Sequence, residues 1–108
     1  MPKFLRPESD DWSDEVALAA EVFRTPVRLV LLTRLRDQGP QTRSELVNGS
    51  GFDAAPVARS LSYLESVGLV EIDVPAGQRL GRPVRYALDR RRWNDLVIAF
   101  KRYLGEAQ

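Results

Sequence analysis

Six arginines crowd residues 79–92 (Arg79, Arg82, Arg85, Arg90, Arg91 and Arg92) against one acid, Asp89. Clustered guanidinium groups bind phosphate or carboxylate oxygens in charge-assisted pairs, and neutralising a polyanion also releases its condensed counterions. The opposite charge is equally concentrated. Residues 8–21 hold six acids (Glu8, Asp10, Asp11, Asp14, Glu15 and Glu21) and no base, so a net charge of +1 conceals a chain polarised along its length. A solvated arginine-rich loop is the plain alternative to a polyanion site. Other chemistry is poorly supplied: the chain has no histidine and no cysteine, which removes the commonest general base, the commonest metal ligands and any disulfide. The sequence forms no nucleophile-base pair and no phosphate loop. We therefore expect no enzyme, no cofactor and no metal site.

A second group of residues has the small size that close approach to a ligand demands. Over 42–70, Thr42 and Glu45 have the spacing of a capping box, which predicts a helix starting at Arg43. Gly49 and Gly51 can end it, and Asp53 supplies the next N-cap. In the second helix Val57, Leu61, Leu64 and Val67 form a stripe with steps of four and three, leaving Ala54, Ala55, Ala58, Arg59 and Ser62 to face elsewhere. Pro56 falls in the first turn, where no intrahelical amide bond is lost, although it leaves Asp53 only the Ala55 amide to cap. Gly68 then closes the helix at C′. Helix, glycine turn and helix in this order make a helix-turn-helix.

The surrounding elements must hold these two groups in place. A chain of 108 residues sustains one core, and we read residues 1–12 as a tail and 13–105 as one domain. Ser13 caps a first helix whose Asp14 and Glu15 suit the helix dipole better than a metal, with Val16, Ala19, Ala20 and Phe23 on one face. Thr25-Pro26 starts a second helix that ends at Gly39-Pro40. Val27, Leu29, Val30, Leu31, Leu32 and Leu35 make this helix the core element, with Arg28, Arg34 and Arg36 on its remaining strip. Val70, Ile72 and Val74 alternate with acids, and Val84, Tyr86 and Leu88 alternate with Arg85 and Ala87. This predicts a β-hairpin over 69–88 tipped by Arg79 and Arg82. Its Gly81-Arg82-Pro83 has the form of an AT-hook core, an arginine suited to a narrow minor groove. Asp89 caps a last helix with Trp93, Leu96, Val97, Phe100 and Leu104 in one stripe, ended by Gly105. The fold class expected is mainly α with a small β-hairpin, a winged helix-turn-helix of about five helices and a two- or three-stranded wing.

Glu45-Leu46, Gly51-Phe52, Val57, Arg59, Leu61, Leu64, Glu65 and Gly68-Leu69-Val70 together resemble the ArsR-type winged helix-turn-helix regulators, over about residues 20–90. The resemblance implies a double-stranded DNA-binding transcription regulator, a homodimeric repressor on an inverted repeat. Leu46, Val47 and Asn48 occupy positions where metal-sensing members carry cysteine, so a non-metal-sensing member is expected. On this reading the 54–67 helix enters the major groove. Ala54, Ala55 and Ala58 meet thymine methyls there, Arg59 bonds a guanine or phosphate, and Ser62 lies alongside. Arg43 and Ser44 contact phosphate, and the wing over 75–85, with Arg79, Arg82 and Arg85, takes the minor groove and backbone. The expected dimer interface is Val16, Ala20, Phe23, Trp93, Leu96, Val97, Phe100 and Leu104. Two alternatives stay open: an architectural or recombination-directing factor of a mobile element, and a winged-helix module for protein contact. Without a membrane-length apolar run or a signal-peptide core, a cytoplasmic protein is expected.

Overall fold

The computed structural model describes residues 12–73 and 84–105. The hairpin tip with Arg79, Arg82 and the Gly81-Arg82-Pro83 motif lies outside them, as do Val74 and the tail up to residue 11. In chain order the elements are α1 (Asp14–Val22), α2 (Pro26–Gln38), β1 (Gln41–Thr42), α3 (Arg43–Ser50), α4 (Ala54–Ser66), β2 (Val70–Ile72), β3 (Arg85–Leu88) and α5 (Arg90–Tyr103). Among the described residues, five helices and a three-stranded antiparallel sheet make a winged helix-turn-helix, mainly α with a small β wing, as the patterning predicts.

Local chemistry accounts for most of the element ends. Ser13 Oγ accepts from the Val16 amide at 3.2 Å, and Asp89 Oδ1 accepts from the Arg92 amide at 3.0 Å. The Thr42–Glu45 box is complete: Thr42 Oγ1 accepts from the Glu45 amide at 3.1 Å while Glu45 Oε1 accepts from the Thr42 amide at 2.8 Å. Gly68, at φ +81°, closes α4 in a Schellman arrangement. Its amide donates to Glu65 O, and the Leu69 amide reaches back to Leu64 O.

Three local expectations need correction. Thr25 and Asp53 hold the N-cap positions of α2 and α4, but neither side chain makes the capping bond. For Asp53 the reason lies in the sequence, since Pro56 at N3 has no amide to offer. Gly49 does not end α3. It lies inside the helix, and Gly51 at φ +82° is the terminator. A Cβ on Gly49 would overlap the Arg34 guanidinium, so the missing side chain leaves room for the Arg34 side chain. On the arginine strip of α2, Arg28 and Arg34 are half-buried and Arg36 is exposed.

The core is one cluster to which most elements contribute. Ala19 and Val22 of α1, Leu31, Leu32 and Leu35 of α2, Leu46 of α3, Val57, Leu61 and Leu64 of α4, Leu69, Val70, and Leu96 of α5 are all buried. Each fully buried leucine contributes about 1.5–3 kcal/mol relative to exposure. On α2 the burial is one-sided, with Val27, Leu29 and Val30 only half-buried. Strand order is β1-β3-β2, with Val70 opposite Leu88, Ile72 opposite Tyr86 and Thr42 opposite Arg85.

Candidate nucleic-acid interface

Helix α4 separates its two faces by side-chain size. Val57, Leu61 and Leu64 are buried, which fixes the roll of the helix about its own axis and turns Ala54, Ala55, Arg59 and Ser62 outward as exposed residues, with Ala58 half-buried beside them. Three of these five outward residues are alanines, and Arg59 brings the only charge among them. Such a surface lets another molecule come close to the helix backbone while offering few hydrogen bonds of its own.

The start of α3 forms a second exposed patch. Arg43 and Ser44 occupy its first turn, and both are exposed. The capping box uses the amides of Thr42 and Glu45, which leaves those of Arg43 and Ser44, at the positive end of the helix dipole, for an outside acceptor. Strand pairing sets Arg85 opposite Thr42, so the Arg85 charge falls next to this turn. Glu45 registers it. Its carboxyl is held below the usual value of 4.5, first by the hydrogen bond from the Thr42 backbone and in smaller part by the Thr42 side chain and by Arg85. The structure thus brings Arg43, Ser44 and Arg85 to one end of the sheet and gathers Ala54, Ala55, Ala58, Arg59 and Ser62 on one helix face. Arg79 and Arg82 lie outside the described residues.

The apolar stripe of α5 serves first to close the subunit's own core. Phe23, the C-cap of α1, sits edge-on to Trp93 at 5.9 Å and to Phe100 at 5.4 Å between ring centroids. Arg92 Nη1 reaches Glu15 Oε1 at 2.9 Å, further joining α5 to α1. A surface that receives a second subunit must be open in the single chain. Of the residues expected at the interface, Val16, 2% exposed, and Leu96, 0% exposed, are buried within the single chain. Ala20, Phe23, Trp93, Val97 and Phe100 are half-buried, and Leu104 stays 68% exposed. Two further apolar residues are open, Ile98 off the stripe and Tyr103 at its edge.

Among the described residues no group of three or more His, Cys, Asp or Glu side chains could hold a metal ion, and no helix is long and apolar enough to cross a membrane.

Fold and surface together define the winged helix-turn-helix class. No protein-family model matches the chain. In sequence it is similar to the HTH-type transcriptional regulator NmtR of Mycobacterium tuberculosis, 35% identical over 74 residues that make up 68% of this chain and 57% of that protein. The chain thus matches little more than half of that relative's length. Among solved structures, the transcriptional repressor BigR from Xylella fastidiosa superposes with a TM-score of 0.62 at 27% identity, covering 88% of this chain and 90% of that one. The antimony-specific transcriptional repressor AntR superposes with a TM-score of 0.64 at 21% identity, over 89% and 81%, a likeness of fold.

Proposed function

We propose that the chain is a sequence-specific double-stranded DNA-binding transcription regulator of ArsR-like type, acting as a homodimeric repressor. One observation carries this reading: α4 turns a face of small residues, with Arg59 as its one cation, outward while Val57, Leu61 and Leu64 are locked inside. A helix of that shape fits the major groove, where alanine methyl groups meet thymine methyls and Arg59 bonds a guanine or a phosphate. Arg43, Ser44 and Arg85 would hold backbone phosphates, and Arg79 and Arg82 of the wing would reach the minor groove. The relative and the structural neighbours are named as transcriptional regulators or repressors, which supports the same reading. Self-association would use the open apolar residues of α5 and the neighbouring α1 surface, placing two α4 helices on an inverted repeat about 34 Å apart.

Gel-shift titrations of the wild type, Arg59→Ala and Arg82→Ala at several salt concentrations test this assignment. Loss of Arg59 should cost about 1–3 kcal/mol at a selected site. Loss of Arg82 should weaken binding to all duplexes and reduce the salt slope by about one. Unchanged affinity in both variants would reject the placement, and absence of duplex binding by the wild type at moderate salt would favour a protein-contact module instead.

A further inference from the structure

The residues that make up the reading face of α4 have almost no reach. An arginine or glutamine can follow a base that shifts by an ångström through a change of rotamer, but alanine has no rotamer to change. Whatever sets the position of α4 as a rigid body therefore sets whether its methyl groups touch bases at all. Inner-face packing fixes the roll of the helix, and one polar contact adds a tie to α1. Arg28, on α2, lies with its Cζ 3.8 Å from the centroid of the Tyr63 ring on α4. The same guanidinium donates through Nη1 to Glu21 O at 2.8 Å and to Glu21 Oε2 at 3.3 Å, at the end of α1. Its side chain is only 16% exposed, which limits solvent screening of both contacts.

We propose that Arg28 is a positioning residue for DNA recognition, tying α4 through the Tyr63 ring to the end of α1 so that the alanine face meets the duplex at a fixed depth. The inference rests on the DNA-binding reading above and deepens it. Tyr63 lies one helical turn beyond Arg59, on the flank between the outward face and the core stripe. Releasing it leaves only the inner-face packing of Leu61 and Leu64 to set the tilt of α4. Contacts to phosphate made by long side chains tolerate such a tilt, whereas methyl contacts to bases do not. The signature of the device is therefore a loss of discrimination, with general affinity retained.

The test compares Arg28→Gln, Tyr63→Leu and the conservative Tyr63→Phe with the wild type. Each is titrated against a duplex selected from random sequence and against a scrambled duplex, at two salt concentrations and at a temperature where circular dichroism shows it folded. Arg28→Gln and Tyr63→Leu should each bind the selected duplex about fivefold to tenfold more weakly, with unchanged scrambled-duplex affinity and salt slope. Tyr63→Phe, which keeps the π face, should bind as the wild type does, and the double variant should lose no more than the weaker single one. If Arg28→Gln does not fold, Arg28→Lys, which keeps the charge but not the planar stack, should show part of the same selective loss. Wild-type affinity for the selected duplex in folded Arg28→Gln and Tyr63→Leu, or an equal loss on both duplexes, overturns the positioning role. A wild-type protein with no duplex affinity overturns the DNA-binding reading itself, and this inference with it.

Discussion

Helices α4 and α5 are both amphipathic, yet large apolar side chains stay open only on the second. Outward from α4 come Ala54, Ala55, Arg59, Ser62, Glu65 and Ser66, while α5 and its C-cap leave Ile98, Tyr103 and Leu104 open at 42%, 37% and 68%. Behind those surfaces the helices are anchored differently as well. α4 is held chiefly by aliphatic side chains, Val57, Leu61 and Leu64, whereas α5 adds to buried Leu96 the aromatic edges on Phe23 and an ion pair to Glu15. The contrast separates two tasks. A face without reach suits a partner whose own groups come to it, such as base edges in a groove, whereas open leucine, isoleucine and tyrosine gain free energy by leaving water against another apolar surface.

The contrast breaks most sharply from the inside. Leu61→Ala should lower unfolding free energy by about 2–5 kcal/mol, because it removes buried methyl groups and leaves a cavity where α4 is seated. Ala55→Ser, on the exposed face of the same helix, should change it by less than about 0.5 kcal/mol. Urea denaturation of both variants measures the gap, and comparable losses would mean that the two faces are not distinct. At the C-cap of α5, Leu104→Glu should leave unfolding nearly unchanged but raise the dissociation constant of the proposed dimer about tenfold, roughly 1.4 kcal/mol. Sedimentation over a concentration series reports it, and an unaltered monomer-dimer balance would remove Leu104 from the interface.

Smaller effects sharpen the picture at the start of α3. Thr42→Ala removes the capping oxygen seen by the Glu45 amide and should cost about 1 kcal/mol of stability, read as a lowered urea midpoint with an unchanged slope. The smallest effect is a pH dependence. The Glu45 carboxyl is lowered in the folded chain, so the stability it contributes is fully present above pH 4.5 and is lost as pH falls through its folded value. Glu45→Gln cannot lose a charge. Its melting temperature should therefore fall less steeply below pH 4.5 than that of the wild type, and parallel melting curves would show that the carboxylate charge adds nothing to the cap.

What could be read from the sequence was mostly local. The Thr42–Glu45 box, Pro26 at the first position of α2, the glycines at 39, 51 and 68, and the core stripe of α4 all follow from spacing along one element, where period and cap chemistry are visible residue by residue. Contacts between elements carry no such period. Nothing around Gly49 announces that Arg34 will cross it, and nothing around Tyr63 announces the guanidinium of Arg28. The two-residue strand β1 was equally hidden, because Gln41 and Thr42 pair with β3 without any apolar alternation. At the candidate interface the sequence selected the outward residues of α4 from periodicity alone. It could not distinguish apolar α5 residues used within the subunit, such as Leu96, from those left open, such as Leu104, because both lie on the same helical stripe.

Selection of duplexes from a random pool by the purified protein tests the central claim most directly. The account predicts enrichment of an inverted repeat with half-sites about one helical turn apart, and loss of that enrichment in Arg59→Ala. A pool that remains random after selection at moderate salt, with the protein shown to be folded, would contradict it.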